Sequence, residues 1–131
     1  MPDKTISYEE LMPGYKFPPA NYELDASFVS KYLEAVEGSG DGFVPPLAIT
    51  ACAIAAMTKS IPLPSGTIAI HASQELEFLK PVRIGTAIEC HIAVAQKIAR
   101  GKMSMLIVEL EIFDKSGEKV QAGRATIVFP A

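Results

Sequence analysis

Cysteine and histidine are scarce in this chain, with two of each among 131 residues. Cys52 and Cys90 lie inside apolar runs, which predicts buried free thiols in a reducing compartment rather than a disulfide framework. No spacing of cysteine and histidine is typical of a zinc site, and no glycine-rich phosphate loop is present. We therefore expect neither a metal nor a cofactor.

Long apolar runs and an excess of basic charge are also lacking. The longest uncharged run, from Gly42 to Thr58, contains two prolines and is too short to cross a membrane. The start, Met1-Pro2-Asp3-Lys4, leads into no apolar signal segment. Lys and Arg number 12 against 15 Asp and Glu, and the net charge of −3 argues against a nucleic-acid-binding surface. We expect a cytoplasmic protein that binds neither membranes nor nucleic acid.

The length fits one folded domain over residues 1–131. Apolar residues make up 49% of the chain, which excludes a disordered protein. A domain of this size buries enough surface to be stable without a disulfide or a metal.

The first third of the chain reads as an extended segment followed by a helix. Pro13-Gly14 and Pro18-Pro19 favour extended or looping backbone before residue 25, with a short edge strand near Tyr15–Phe17. Asp25 is a suitable N-cap for a helix that Gly38 and Gly40 end. The apolar side chains expected on one face of this helix are Phe28, Tyr32, Leu33 and Val36.

A second helix begins at Pro46, where a missing N–H costs nothing. Its residues from Leu47 to Met57 are apolar all round and include no Asp, Glu, His or Lys. This pattern predicts a helix buried beneath a sheet, and its alanines allow close approach of the backbones. Pro62 and Pro64 end the connection that follows it.

From Thr67 onward the apolar period changes to two, which predicts four long antiparallel strands with one face on a core. On the first strand, alternation places Gln74, Leu76 and Phe78 on one face and His71 on the more polar face. His91 also falls on a polar face. The strands are expected near residues 67–78, 86–98, 103–113 and 119–129, with a hairpin turn at Asp114–Gly117.

Four sequence pieces resemble the MaoC-like branch of the hot-dog family, which includes R-specific enoyl-CoA hydratases and acyl dehydratases. They are Val44-Pro45-Pro46, His71 with Gln74–Phe78, Lys80–Gly85 and Asp114–Gly117. The resemblance spans about Tyr8 to Pro130 and is strongest to the subgroup with Pro-Pro before the buried helix. It implies an α+β hot-dog fold, in which an antiparallel sheet wraps around one long helix, and a ligand that is an acyl thioester.

The catalytic motif of that family, Ser-Gly-Asp-x-Asn-Pro-x-His, is only partly present. Ser39-Gly40-Asp41 matches its start, which makes Asp41 a catalytic candidate, but Phe43 and Val44 replace Asn and Pro, and Pro46 stands at the His position. The family's longer segment between this motif and the buried helix is missing as well. An ordinary turn aspartate remains an alternative for Asp41.

Other catalytic groups are few. The buried helix has none of the carboxylates found in hot-dog thioesterases and acyl-carrier dehydratases, and Cys52 has no adjacent base in the sequence. His71 is the better of the two histidine candidates, because the family often has a His there, although a structural role as a surface or interface histidine explains that His more easily than catalysis does. Since Pro45 and Pro46 have no N–H, oxyanion donors are reduced to the helix-start N–H groups of Leu47 and Ala48.

Two functions follow from the resemblance. The first is a catalytically degenerate, acyl-thioester-binding subunit of a (3R)-hydroxyacyl-thioester dehydratase or enoyl-CoA hydratase, as a homodimer or paired with a catalytic hot-dog subunit. The second is an active hydro-lyase that uses Asp41 with a rearranged partner such as His71. For either, acyl-CoA or an acyl-carrier thioester is expected to contact Leu47, Ala48, Ile49, Ala53, Leu76 and Phe78.

Overall fold

The computed structural model describes residues 6–63 and 66–130. Pro64 and the Met1–Lys4 start considered above lie outside the described residues. A short 3-10 helix, Tyr8–Glu10, precedes the main elements. These are β1 (Ala20–Leu24), α1 (Ala26–Ala35), α2 (Pro46–Ser60), β2 (Ile70–Phe78), β3 (Thr86–Arg100), β4 (Met103–Asp114) and β5 (Lys119–Pro130).

All five strands form one antiparallel sheet in the order β1-β3-β4-β5-β2. One face of the sheet is buried in the core that also contains α2, because apolar side chains alternate along its central strands. This arrangement is the predicted α+β hot-dog architecture. The buried residues include Ile88, Cys90, Ile92 and Val94 of β3 and Leu106, Val108, Leu110 and Ile112 of β4, as the alternation predicted.

Helix α2 is buried on most of its surface but not all round. Ala48, Ile49, Ala53 and Met57 are no more than 2% exposed, whereas one stripe of the helix lies open in the single chain. The prediction of complete burial is therefore wrong for this chain alone. The open stripe consists of Leu47, Ala51, Ala55 and Thr58. Within the described residues, no helix combines the length and the hydrophobicity that a membrane span requires.

The N-terminal strand lies later in the chain than expected. Tyr15–Phe17 forms only an isolated bridge, Lys16 with Ala93, and the strand is β1, Ala20–Leu24, paired with β3 from Ala20↔Cys90 to Leu24↔Thr86. Pro18-Pro19 explains the shift, because proline has no N–H to offer a ladder and separates the bridge from the strand.

Helix α1 begins where predicted, since Asp25 Oδ1 accepts a hydrogen bond from the Phe28 N–H at 2.8 Å. Its packing differs from the expectation. Val29 is its buried residue, while Val36 lies past the last helical residue and is exposed. Phe28, Tyr32 and Leu33 pack on the core only in part.

The predicted hairpin turn joins β4 to β5, with Gly117 at φ 84°. Asp114 organises it. The Ser116 hydroxyl, the Glu118 N–H and the Lys80 ammonium group all donate to its carboxylate. These bonds lower the pKa of Asp114 to about 2, although desolvation acts in the opposite direction.

Candidate functional site

A cavity of about 500 Å³ opens at the N-terminal end of α2. The end of α1, the loop after it, the first turn of α2 and Pro81 enclose it. Asp41 and Leu47, two of the predicted site residues, both face this space. The lining residues are Tyr32, Leu33, Val36, Ser39, Gly40, Asp41, Phe43, Val44, Pro45, Pro46, Leu47 and Pro81.

The loop that carries Asp41 is held by hydrogen bonds to the segment before β3. Val44 N–H donates to Val82 O at 2.7 Å, and Ile84 N–H donates to Gly42 O at 3.2 Å. Gly42 adopts φ 91°, a conformation that glycine tolerates without strain. The loop therefore has a defined path into α2.

Asp41 itself is exposed and accepts a hydrogen bond on Oδ1 from the Phe43 N–H at 3.1 Å. This is an Asx-type turn, in which a short carboxylate stabilises the bend of its own backbone. Its other carboxylate oxygen has no hydrogen bond within the described residues. Asp41 thus has a structural role in the loop and also lies beside the cavity.

Two backbone N–H groups in the first turn of α2, those of Leu47 and Ala48, were predicted to be free donors, and within the described part of the chain only that of Leu47 is free. Ala48 N–H donates to Pro45 O at 2.9 Å, so the expectation that it would be free is wrong. The proline ring fixes the backbone in a conformation that closes this turn. Leu47 N–H makes no hydrogen bond to any described residue and points from a helix N-terminus, which favours negative charge.

A buried amide, which the sequence analysis missed, joins the start of α2 to β5. Gln121 is 2% exposed, its Nε2 donates to Pro46 O at 2.8 Å, and its Oε1 accepts from the Thr50 hydroxyl at 2.9 Å. The signal was available, because Gln121 is a polar residue on the face of β5 that otherwise carries Gly123, Ala125 and apolar side chains. Gln121 fixes the helix end that borders the cavity.

The other residues predicted to contact the ligand lie in different parts of the domain. Ile49 and Phe78 line a second cavity of about 220 Å³, which shares Val44, Pro46 and Pro81 with the first. Ala48 and Ala53 are buried in the core. Leu76 lies 40% exposed on β2.

His71 lies on the opposite face of β2 from the one predicted. The pairing of β2 with β5 shifts between His71 and Ser73, so Ala72 is an extra residue in the strand. His71 therefore pairs with the buried Ile127 and shares the helix-facing side with Gln74, Leu76 and Phe78. His91 is on the outer face of β3, as predicted, beside Glu89 with 2.7 Å between Nε2 and Oε1.

Within one chain, Asp41 and His71 are not brought together. Asp41 shares its cavity with Pro46 and Leu47 at the start of α2, whereas His71 lines a cavity with Met57 and Thr58 at the end of the helix. A 15-residue helix is about 22 Å long, which separates the two groups.

The two thiols are unsuited to nucleophilic chemistry. Both are free and buried, with no disulfide between them. Desolvation raises the pKa of Cys52, and desolvation followed by the nearby Cys52 raises the pKa of Cys90 to about 12. Thiolate, the reactive form, is therefore disfavoured at both. The described residues contain no cluster of three His, Cys, Asp or Glu side chains that could hold a metal ion.

Comparison with solved structures identifies the fold. R-hydratase PhaJ1 from Pseudomonas aeruginosa, in its unliganded form, is similar with a TM-score of 0.81 and 20% identity, over 96% of this chain and 86% of that one. The MaoC-like dehydratase from Rhodospirillum rubrum gives 0.75 and 21%, over 95% and 97%. A chain of the ChsH1-ChsH2 complex from Mycobacterium tuberculosis gives 0.69 and 16%, over 90% and 98%.

Identities this low show a common hot-dog fold and nothing more specific. No curated protein matches the sequence. The sequence profile of the FAS1-like dehydratase domain region, however, matches residues 15–122 and so includes the cavity, α2 and most of the sheet. The chain therefore belongs to the family of FAS1-like dehydratase domain regions.

Proposed function

We infer that the protein is a MaoC-like acyl-thioester-binding subunit, catalytically degenerate, that works with a (3R)-hydroxyacyl-thioester dehydratase or enoyl-CoA hydratase. The observation that carries this proposal is the start of α2. Pro46 stands where the family motif has histidine, and no imidazole lines the cavity that Asp41 faces. Hydration of an enoyl thioester needs a positioned base, whose loss typically costs about 10²–10⁴-fold in rate.

Binding of a thioester does not require a catalytic base. It requires a hydrogen-bond donor and an apolar space for the acyl tail, and both are present at the start of α2. Leu47 N–H at the helix start is a donor for a thioester oxygen. The neighbouring cavity at Ile49 and Phe78 is apolar enough to receive the start of an acyl tail, which would continue along the buried Ala53. We propose acyl-CoA or an acyl-carrier thioester as the ligand. We also propose that the protein is located in the reducing cytoplasm, in keeping with its free thiols.

The second candidate, an active hydro-lyase, is favoured by one observation: Asp41 does lie at the cavity, with one carboxylate oxygen free of hydrogen bonds to described residues. It needs an imidazole beside Asp41, which the described residues of one chain do not supply there, since Tyr32 is the other titratable side chain that lines the cavity. A partner subunit would supply it, either as a second copy or as a catalytic hot-dog chain. The two readings therefore differ in turnover, not in ligand class.

Calorimetry with octanoyl-CoA tests the proposed ligand class. Wild-type protein should bind it, and Leu47→Asp should abolish binding, because the new carboxylate occupies the helix N-terminus without disturbing the core. Ser30→Asp, exposed on α1, adds the same charge elsewhere and should bind normally. Absence of binding by the wild type at millimolar ligand would refute the proposal.

Crotonyl-CoA hydration distinguishes the two readings. The isolated protein should show little turnover, and adding a catalytic hot-dog subunit should restore it. Robust turnover by the isolated protein that Asp41→Asn removes would establish the active hydro-lyase instead.

A further inference from the structure

The start of α2 has no side-chain cap of the usual kind. Pro45 stands at the N-cap position and makes no side-chain hydrogen bond. Ser, Thr, Asp and Asn are preferred there, because their side-chain oxygen accepts from the N–H of the second or third helical residue, here Leu47 or Ala48. Ala48 N–H is bonded to Pro45 O, whereas Leu47 N–H has no hydrogen bond to a described residue. Since these N–H groups point out of the start of a helix, Leu47 N–H is directed at the cavity that Leu47 lines.

The same helix end is held from the sheet instead. Gln121 of β5 donates through Nε2 to Pro46 O at 2.8 Å, across 75 residues of sequence. Its Oε1 accepts from the Thr50 hydroxyl at 2.9 Å. A carbonyl oxygen only accepts, so the NH₂ end of the amide has to face Pro46. The Gln121 side chain is buried, and both bonds are therefore shielded from water.

Pro46 O and Leu47 N–H are the two ends of one peptide group. In this planar trans unit the oxygen and the hydrogen point in opposite directions. A donor that fixes the oxygen therefore fixes the direction of the N–H as well. A carbonyl that accepts a hydrogen bond also polarises its peptide, which strengthens the N–H as a donor. Helical geometry already directs Pro46 O at the Thr50 N–H, so Gln121 adds a donor from outside the helix.

A buried amide is a costly way to hold a helix if holding it is the only task. A serine at position 45 would cap α2 without placing a polar side chain in the core. That serine would also occupy Leu47 N–H. The combination of Pro45 and Gln121 holds the helix by a carbonyl and leaves the N–H open, which is what binding of a ligand carbonyl requires.

We propose that Gln121 is a positioning residue for the thioester oxygen. It acts through the Pro46–Leu47 peptide, whose N–H it aims and polarises, while Pro45 keeps that N–H uncapped. This deepens the proposed function and rests on it. Gln121 also borders the smaller cavity assigned to the acyl tail, where a substitution would change the binding of any apolar tail. Two ligands that share one tail and differ in the carbonyl separate the two effects.

Calorimetry with octanoyl-CoA and its thioether analogue S-octyl-CoA, which lacks the carbonyl, tests the role of Gln121. Wild type should prefer the thioester about tenfold. Gln121→Met should lower that preference about two- to threefold. Adding Thr50→Val should lower it further, because the Thr50 hydroxyl, 3.2 Å from Pro46 O, can otherwise donate in place of the amide.

Val108→Ala is the control for lost stability, since Val108 is buried in β4 and lines neither cavity. It should retain the tenfold preference. An unchanged preference in the double variant overturns this inference alone. Failure of octanoyl-CoA to bind wild type refutes the proposed function and this inference with it.

Infrared spectroscopy of octanoyl-CoA labelled with ¹³C at the carbonyl reports on the donor directly. Binding to wild type should lower the carbonyl stretching frequency, because the hydrogen bond weakens the C=O bond. Gln121→Met should return the band part of the way to its position in free ligand, whereas Val108→Ala should not. A band at the same position in wild type and Gln121→Met contradicts the positioning role.

Capping the helix tests the same peptide from its other end. Pro45→Ser supplies an acceptor for Leu47 N–H and should bind octanoyl-CoA and S-octyl-CoA equally. Pro45→Ala removes the same ring without adding an acceptor. The serine variant should therefore melt at a higher temperature than the alanine variant and yet be the one that loses the preference. A serine variant that keeps the preference, or an alanine variant that loses it to the same extent, overturns the proposal.

Discussion

The contact between Gln121 and the start of α2 yields a stability prediction with a worked magnitude. Gln121→Met keeps an unbranched side chain but removes the bonds to Pro46 O and to the Thr50 hydroxyl. Thr50 Oγ1 lies 3.2 Å from Pro46 O, so its hydroxyl can still donate to that carbonyl. The substitution therefore leaves only some of these buried polar groups without a hydrogen-bond partner. We expect the free energy of unfolding to fall by about 1–3 kcal/mol.

Thr50→Val should cost a similar amount for a different reason, because it leaves the buried Gln121 Oε1 without its donor. The double variant replaces both partners by apolar groups, which is close to neutral when shape is conserved. Its cost should therefore fall short of the sum of the single costs by at least about 0.5 kcal/mol.

Urea unfolding of the four proteins measures these quantities, with equal m-values as the check that the unfolding transition is unchanged. Thermal midpoints should follow at about 3–5 °C for each kcal/mol in a domain of this size. Strict additivity of the two substitutions, or a Gln121→Met protein as stable as wild type, would show that the amide does not hold the helix.

Three further outcomes are expected. Ala53→Glu should lower the free energy of unfolding by several kcal/mol, and with it the thermal midpoint, because it buries an unpaired carboxylate, whereas Ala26→Glu on an exposed position of α1 should not. Gly123→Ala should destabilise the domain in urea, since its Cβ would lie 2.6 Å from a backbone oxygen of β2, while Ala122→Val should be tolerated. The pKa of Asp114 is lowered to about 2, so its contribution to stability is present above its unfolded pKa, near 3.9, and is lost as pH falls through about 2. Asp114→Asn should flatten acid unfolding profiles across that window, and an unchanged profile would contradict this assignment.

The parts of the fold that sequence predicted are those where one physical effect dominates. Ile88 to Val94 alternate without interruption because β3 is buried on one face only, so the period of two is directly visible. The face on which His71 lies was mispredicted because the period of two is interrupted in β2. A single inserted residue, Ala72, breaks the alternation, and nothing in the local composition marks a bulge.

In the candidate site, too, some features could be predicted from the sequence and others could not. Asp41 and Leu47 were predicted from a partial motif and a helix start, and the structure places both at one cavity. Gln121 was missed because it lies 75 residues from Pro46, and the pairing of a buried amide with a distant carbonyl is set by tertiary contacts. The hydrogen bond that occupies Ala48 N–H likewise depends on backbone geometry that composition does not reveal.

The link between Pro46 and Gln121 also bears on the order in which this chain matures during synthesis. A 15-residue helix is marginal by itself, and this one has no side-chain cap of its own. Strand β2 likewise has no neighbour until β5 arrives, because β5 is its partner in the sheet. A nascent chain that ends before Lys119 therefore holds an apolar helix and an unpaired strand together, and both depend on the twelve residues of β5. Arrival of β5 is thus the step that completes this sheet, and the nascent chain is most exposed to aggregation just before β5 emerges.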